Sequence, residues 1–404
     1  MLVFKPLKRR AIALLWGGQV LSSIGDEIYG VAMVWLATGL VGVNAGYVTA
    51  MQAASVFVFS LIGGIWADHW DHRSTMIRSD IIRGFAVLIP PLFSYFAPPS
   101  LLVLTFVGVV ISSLSAFFNP ALRATVPELV ESAELLQATN GLMETTYRFA
   151  RVIGPGFIAL LNAIVPIIHF FTIDAITFFL SAFTISRLRS QFSAPVKRAR
   201  TQLTLSAIRE GLLSGWQAIQ SHALLRYTIC MGALVNSCWY LIYPLAITLL
   251  LRQTMPGNIA ALGSILAAYG VGNISSNLIV GSLTIREHKN WSFSGRIIIG
   301  LGFVGLAFAP SLPLMMLAAA ISATAGPITD LAFIAMVQKD IAKRDFAKVY
   351  RLSMALTHGA VVVLLAFSPL LFRAFQIKTV IAGAGSFMAF AGVLGFYLFR
   401  RRIA

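Results

Sequence analysis

The feature that most constrains this chain is the length of its apolar runs. Between Ala11 and Val41 only Asp26 and Glu27 carry charge, and Ala45 to Ala67 carries none. A helix rises 1.5 Å per residue, so about 20 apolar residues cross the ~30 Å of hydrocarbon in a bilayer. Runs of this kind recur along all 404 residues, and charged side chains make up only 11% of the chain. A soluble domain carries about 25%. The medium these runs are built for is lipid.

The length criterion predicts an all-α integral membrane fold with twelve transmembrane helices. The first six spans are Ala11 to Val41, Ala45 to Ala67, Ile81 to Phe96, Leu101 to Phe118, Asn140 to Val165 and Ile167 to Ser186. The second six are Leu224 to Leu251, Ile259 to Leu283, Ile297 to Ala309, Leu312 to Val337, Leu352 to Phe372 and Val380 to Phe399. The first span lacks a small-residue cleavage site and is too long for a signal peptide, so it stays in the membrane. Of 31 Lys and Arg, only Arg252, Arg373 and Lys378 fall in loops on one side, and Arg148 and Arg151 lie within span five. The remaining 26 gather on the other side, which the positive-inside rule makes cytoplasmic. Both termini are expected there, in a cell (inner) membrane. The net charge of +16 therefore reports retained loops and not a nucleic-acid partner.

A polar, basic stretch separates two sets of six spans. The expected organisation is a bundle over residues 1–186, a linker over 187–223 and a second bundle over 224–404. Gly63-Gly64 before a charged loop finds an echo in Gly281 and Arg286-Glu287-His288-Lys289, which suggests two pseudo-repeats. Two such halves suit a transporter that rocks one bundle against the other.

The loop after span two reads GGIWADHWDHRSTMIRSDIIRG, from Gly63 to Gly84. Gly64 permits close helix contact, Asp68 sits at a helix end where it can pair with Arg73, and Asp80 and Arg83 share a helical face. These residues, with Asp71, form a candidate cytoplasmic gate; the alternative is a solvated loop whose charges only set topology. The segment resembles the signature of the major facilitator superfamily. It is closer to the variant found in the branch of bacterial siderophore exporters and macrolide efflux proteins. Gly64, Asp68, Trp70, Asp71, Arg73, Asp80 and Arg83 match that variant. His69 and His72 replace two expected arginines, which would weaken the gate or make it pH-sensitive near neutrality.

A second segment, Asn119 to Gly156, is similar to the same branch. Its Gly154-Pro155 resembles the core of the antiporter motif in span five, although Ala150 and Ala159 depart from the flanking glycines. Pro155 removes a backbone donor and bends the helix. The resemblance implies export; a simple kink is the alternative.

Charges inside spans are independent of any resemblance. Asp26 and Glu27 lie ~22 Å, and Arg151 ~18 Å, from the cytoplasmic starts of spans one and five at 1.5 Å per residue. Glu144, Arg148 and Arg151 share a face. A charge at mid-bilayer costs about 2.5–3.5 kcal/mol or more, so each is expected to be paired or to line a wet cavity. We expect Asp26 to pair with Arg151 and to release it for an anionic substrate on protonation; a static bridge is the alternative. Asp330 is a possible second coupling carboxylate. Asp174 and His358 are expected to be satisfied polar residues, and Asn236, Asn273 and Asn277 to bond between helices. The aromatic stretch Trp239 to Tyr243 is expected to line a cavity or to anchor at the interface. Arg123 sits at the cytoplasmic end of span four, where the family's buried arginine is missing.

No HExxH, GxSxG or Walker loop is present, and Cys230 and Cys238 lack metal-ligand spacing. The expected function is non-enzymatic, without cofactor or metal: secondary active export of a small molecule by alternating access, driven by a proton gradient. The resemblance implies a siderophore-like carboxylate or a drug, with the lipid bilayer as surroundings and a functional monomer as the working unit. Lysophospholipid flipping is the alternative, because Ile24-Gly25-Asp26 and Asn140 to Glu144 are also similar to that transporter group.

Overall fold

The computed structural model describes residues 6–66, 71–188, 205–283 and 288–400. These are helical almost throughout. α1 spans Arg10–Val41, α2 Ala45–Trp66, α3 His72–Phe93, α4 Leu101–Glu128, α5 Ala133–Gly156, α6 Ile158–Ile164 and α7 His169–Ser186. α8 spans Leu205–Ile219, α9 Ala223–Tyr240, α10 Ile247–Thr254, α11 Ile259–Ser282 and α12 His288–Phe308. α13 spans Leu312–Ala323, α14 Ala325–Asp340, α15 Phe346–Ala374 and α16 Ile377–Phe399.

Nine stretches of the described residues are long and apolar enough to cross a membrane. Two physical facts separate that nine from the expected twelve. The first stretch, Arg10–Leu61, runs through two successive helices, α1 and α2. α3 and the broken α5–α6 are absent from the nine because α3 carries Arg73, Arg78, Asp80 and Arg83, and α5 carries Glu134, Glu144, Arg148 and Arg151. These two helices carry most of the charge within the spans of the first bundle.

The chain divides into two compact units. One comprises residues 1–41 and 51–203, the other 42–50 and 204–404. In the first unit α1 packs on α5 and α7, and α3 on α4 and α7. Small residues let these helices approach closely. A side chain at Gly18 would strike Thr184 and the backbone of Ser181, and one at Gly25 would strike Thr177 and Asp174. Ser132 caps α5 by accepting from the Leu135 amide at 3.2 Å, and Arg9 makes a two-pronged bond to Glu131 just before that cap.

In the second unit α12 packs on α13, α14 and α16, α11 on α13, and α15 on α8 and α9. Pro327 lacks the N–H that would bond the Ala323 carbonyl one turn back, and the helix breaks there into α13 and α14. The freed carbonyls of Ala323 and Thr324 accept from Asn273 at 3.4 Å and Ser276 at 2.6 Å, both on α11. In lipid such groups need a side-chain partner, because no water reaches them.

Several expected boundaries move. Span three does not start at Ile81: α3 begins at His72, since Asp71 caps it by accepting from the Ser74 amide at 3.0 Å. Span nine does not start at Ile297 but at His288. Spans five, seven and ten are each broken, near Phe157, between Leu241 and Ala246, and at Thr324. The basic linker contains α8.

Candidate functional site

The polar centre of the first unit is assembled by α1, α3, α4 and α7. α3 contributes Asp80, fully buried, and Arg83, 3% exposed. With α3 starting at His72, Asp80 lies about 12 Å into the helix. This corrects the expectation that Asp80 and Arg83 belong to the gate loop: they are inside the bundle. Arg83 donates to Asp80 and, at 3.4 Å, to the Ser115 hydroxyl of α4. Its guanidinium sits between the rings of Phe118 and Phe178, 4.3 and 4.5 Å from their centroids. Desolvated stacking of this kind is worth about 2 kcal/mol per contact.

α7 contributes Asp174, also fully buried. Its Oδ1 accepts from the Thr177 hydroxyl at 3.2 Å. Asp174 was expected to be a satisfied polar residue, but its Oδ2 has no hydrogen-bond partner among the described residues. Two turns on, Ser181 accepts from Gln19 of α1 at 3.1 Å and stands beside Asp80. Half-buried Asp26 of α1 feels the attraction of Arg83 and the repulsion of Asp80 and Glu27, and Asp174 feels Asp26, Arg83 and Asp80. Of these three carboxylates, Asp80 is the one that bonds Arg83 directly.

The expected Asp26–Arg151 pair does not form. Arg151 approaches Glu27 at 3.6 Å, on a part of α1 and α5 that is substantially exposed. Adjacent residues on a helix point about 100° apart, so Glu27 turns towards α5 while Asp26 turns towards the buried cluster. Gly154 makes the α1–α5 approach possible, since a side chain there would strike Glu27 and the Ile24 carbonyl. Pro155 closes α5, and α6 restarts at Ile158. Glu144 is exposed on α5, Arg148 half-buried.

Of the gate residues, Asp68 lies outside the described residues, as do His69 and Trp70, and Gly64 falls within α2. Arg73 donates to the carbonyls of Ile185 and Ser186, so it caps the C-terminus of α7. The last carbonyls of a helix are unpaired and favour a cation. His72 faces Glu128 at 3.2 Å.

In the second unit Asp330 is exposed on α14. Asn236 bonds its own helix, to Gly232 at 2.9 Å, whereas Asn273 bonds across to α13. Trp239 donates to the Tyr269 hydroxyl at 2.7 Å and stacks on Tyr243. A crevice of about 580 Å³ between α9, α15 and α16 is lined by apolar residues including Leu234, Val363, Phe367, Leu371 and Phe387, with Cys238 among them. Arg296 of α12 was missed by sequence reasoning. It is 3% exposed, donates to the Thr228 carbonyl at 2.8 Å and lies over the Tyr227 ring. The legible signal was an arginine abutting the run Ile297-Ile298-Ile299, which placing the span's start one residue later put in a loop.

The family described as transmembrane secretion effector matches residues 2–398 of the chain. The multidrug efflux pump Tap of Mycobacterium tuberculosis is 28% identical over 321 residues, covering 76% of this chain and 74% of that protein. Macrolide efflux protein A of Streptococcus pyogenes is 24% identical over 179 residues, 43% of this chain and 44% of its own length. The solved structure of a bacterial homologue of the human lysosomal transporter Spinster superposes with a TM-score of 0.71 at 13% identity, over 98% of each chain. That likeness shows a shared fold.

Proposed function

The chain belongs to the transmembrane secretion effector family of the major facilitator superfamily, and from that premise we propose that it exports lipophilic, drug-like molecules in exchange for protons. It is a multi-pass membrane transporter. Both termini are placed on the cytoplasmic side in this reading, because the basic loops gather there.

Two observations support a lipophilic cargo over a siderophore-like carboxylate. Arg151, the cation expected to receive a carboxylate, is already engaged by Glu27. The crevice of the second unit is an open apolar groove with no charged residue in its lining, where Leu234, Val363 and Phe367 stay exposed. Relatives that carry the names multidrug efflux pump and macrolide efflux protein point the same way. The observation that carries proton coupling is the presence in the first bundle of two fully buried carboxyl side chains, Asp80 on α3 and Asp174 on α7. Buried intramembrane acids are the usual sites of proton relays. Alternating access would let half-buried Asp26 exchange its proton with whichever side is open.

Expression in a bacterium lacking its own efflux pumps tests this reading. Cells making the protein are expected to hold several-fold less ethidium than empty-vector cells and to tolerate more macrolide. Asp26→Asn should return ethidium to the empty-vector level at unchanged membrane abundance. Equal ethidium in all three strains removes the export reading, and full activity of the variant removes Asp26 from it.

A further inference from the structure

We propose that the paired ends of α12 and α16 hold the headgroup of an anionic phospholipid. Its phosphate would sit on Lys289 and Arg400, and its glycerol and first acyl carbons against Phe293, Phe396 and Phe399. The inference is independent of cargo and of proton coupling.

A cavity of about 410 Å³ opens where α12 begins and α16 ends. Lys289, Asn290, Phe293, Phe396, Phe399 and Arg400 line it. Two of the six are cations, and among the described residues no carboxylate belongs to the lining. Lys289 is half-buried and donates to the Phe399 carbonyl at 3.2 Å, which fixes its ammonium at the C-terminus of α16. That bond takes one of the three donors of an ammonium. Arg400, the next residue of α16's end, is exposed and offers a planar fork that matches phosphate oxygens. Other cations at helix ends of this unit are engaged differently. Lys348 and Arg344 pair with Asp345 at 2.6 and 3.5 Å, and Arg226 donates to the Gln220 carbonyl at 2.6 Å.

The charge behind the cavity has the same sign. Tyr227 stands behind Phe293 and Phe399, with ring centroids 5.9 and 5.5 Å away, and the buried Arg296 guanidinium lies over its ring. Lys289, Phe293 and Arg296 recur at helical spacing on one face of α12. Arg296 bonds a backbone carbonyl, and its Nη1 has no partner among the described residues. A charge in a low-dielectric bundle is weakly screened, so an anion at the mouth is attracted from three directions.

The aromatic half of the lining favours a lipid over a free anion. Phe293 meets Phe396 edge-on at 5.4 Å and stacks on Phe399 at 6.2 Å, forming a continuous apolar wall. A hydrated phosphate gains nothing from such a wall. A phospholipid carries the anion and the hydrocarbon in one molecule. Beside the wall on α16, Tyr397 and Leu398 are exposed, and tyrosines at span ends sit at headgroup level. Basic pockets between spans on the cytoplasmic side suit anionic headgroups. A zwitterionic head would bring its own cation against Lys289 and Arg400.

Native mass spectrometry of the full chain in detergent, titrated with phosphatidylglycerol or phosphatidylcholine, tests this. Wild type is expected to retain one phosphatidylglycerol with about tenfold preference over phosphatidylcholine. Lys289→Gln with Arg400→Gln should abolish the preference. Lys339→Gln with Lys343→Gln removes two exposed cations elsewhere in the unit and should leave it within about twofold. Equal retention of the two lipids by wild type, which needs no variant to fold, overturns the proposal. Equal losses in the two double variants overturn it as well, since they would report diffuse surface charge. Displacement of the lipid by millimolar inorganic phosphate would assign the pocket to a free anion and also overturn it. None of these results bears on ethidium export, which stands or falls separately.

Discussion

Arg83→Met is expected to destabilise the first unit by about 3–5 kcal/mol, the range for removing one partner of a buried ion pair. Methionine fills the space between Phe118 and Phe178, so packing is largely kept and the loss is electrostatic. Asp80 then loses its only hydrogen-bond donor from α3, and Asp26 and Asp174 lose the one attraction that offsets their mutual repulsion. Adding Asp80→Asn should restore most of the stability, because it removes the charge left without a partner. Adding Glu27→Gln should restore much less, since Glu27 pairs with Arg151 and acts on the cluster only through its repulsion of Asp26. Unfolding in lipid–detergent micelles checks the series. Equal stability of Arg83→Met and wild type would mean that the cluster is neutral without its arginine.

The second large effect lies in the second unit, where the physics is steric. Gly300 of α12 faces the Gly385 carbonyl and the Ala389 amide of α16, and Gly385 faces the Gly300 carbonyl in return. A valine at position 300 would collide with backbone on the partner helix, which no rotamer change relieves. Helices in lipid associate through such close contacts, having no hydrophobic drive towards each other. Gly300→Val is expected to cost about 3 kcal/mol, at the upper end for overpacking, and to cut the yield of folded protein several-fold. Gly383→Val on the same helix α16 meets nothing nearby and should be close to neutral. Monodispersity on size exclusion and thermal unfolding separate the two; similar losses in both would show that the crossing is not set by Gly300.

How much of this was legible in the sequence follows from what lipid demands. Apolar length is a requirement of the bilayer, so α1, α2, α4 and α7 were readable as runs. Depth along a span was also readable, which singled out Asp26, Glu27 and Arg151. Direction was not: Asp26 and Glu27 are neighbours in sequence, and only the packing of α1 against α5 and α7 sends one to Arg151 and the other to the cluster. The charges of α3 lowered its apolarity, which puts the expected start nine residues late, at Ile81 for His72. Asp80 consequently looked like a loop residue, and Arg83 like one at the very start of the span. Arg296 was lost to the same error on α12. Gln19 and Ser181 carry no charge and follow no polar period, and nothing but the fold brings them together.

The proposed exchange of a proton for a cargo molecule is reciprocal. Proteoliposomes loaded with a pH-sensitive dye, without any imposed gradient, test it in the reverse direction. External ethidium or a macrolide is expected to enter in trade for lumenal protons, so the lumen should turn alkaline only when the protein is present. Cargo entry through wild-type protein with no change in lumenal pH would contradict proton antiport.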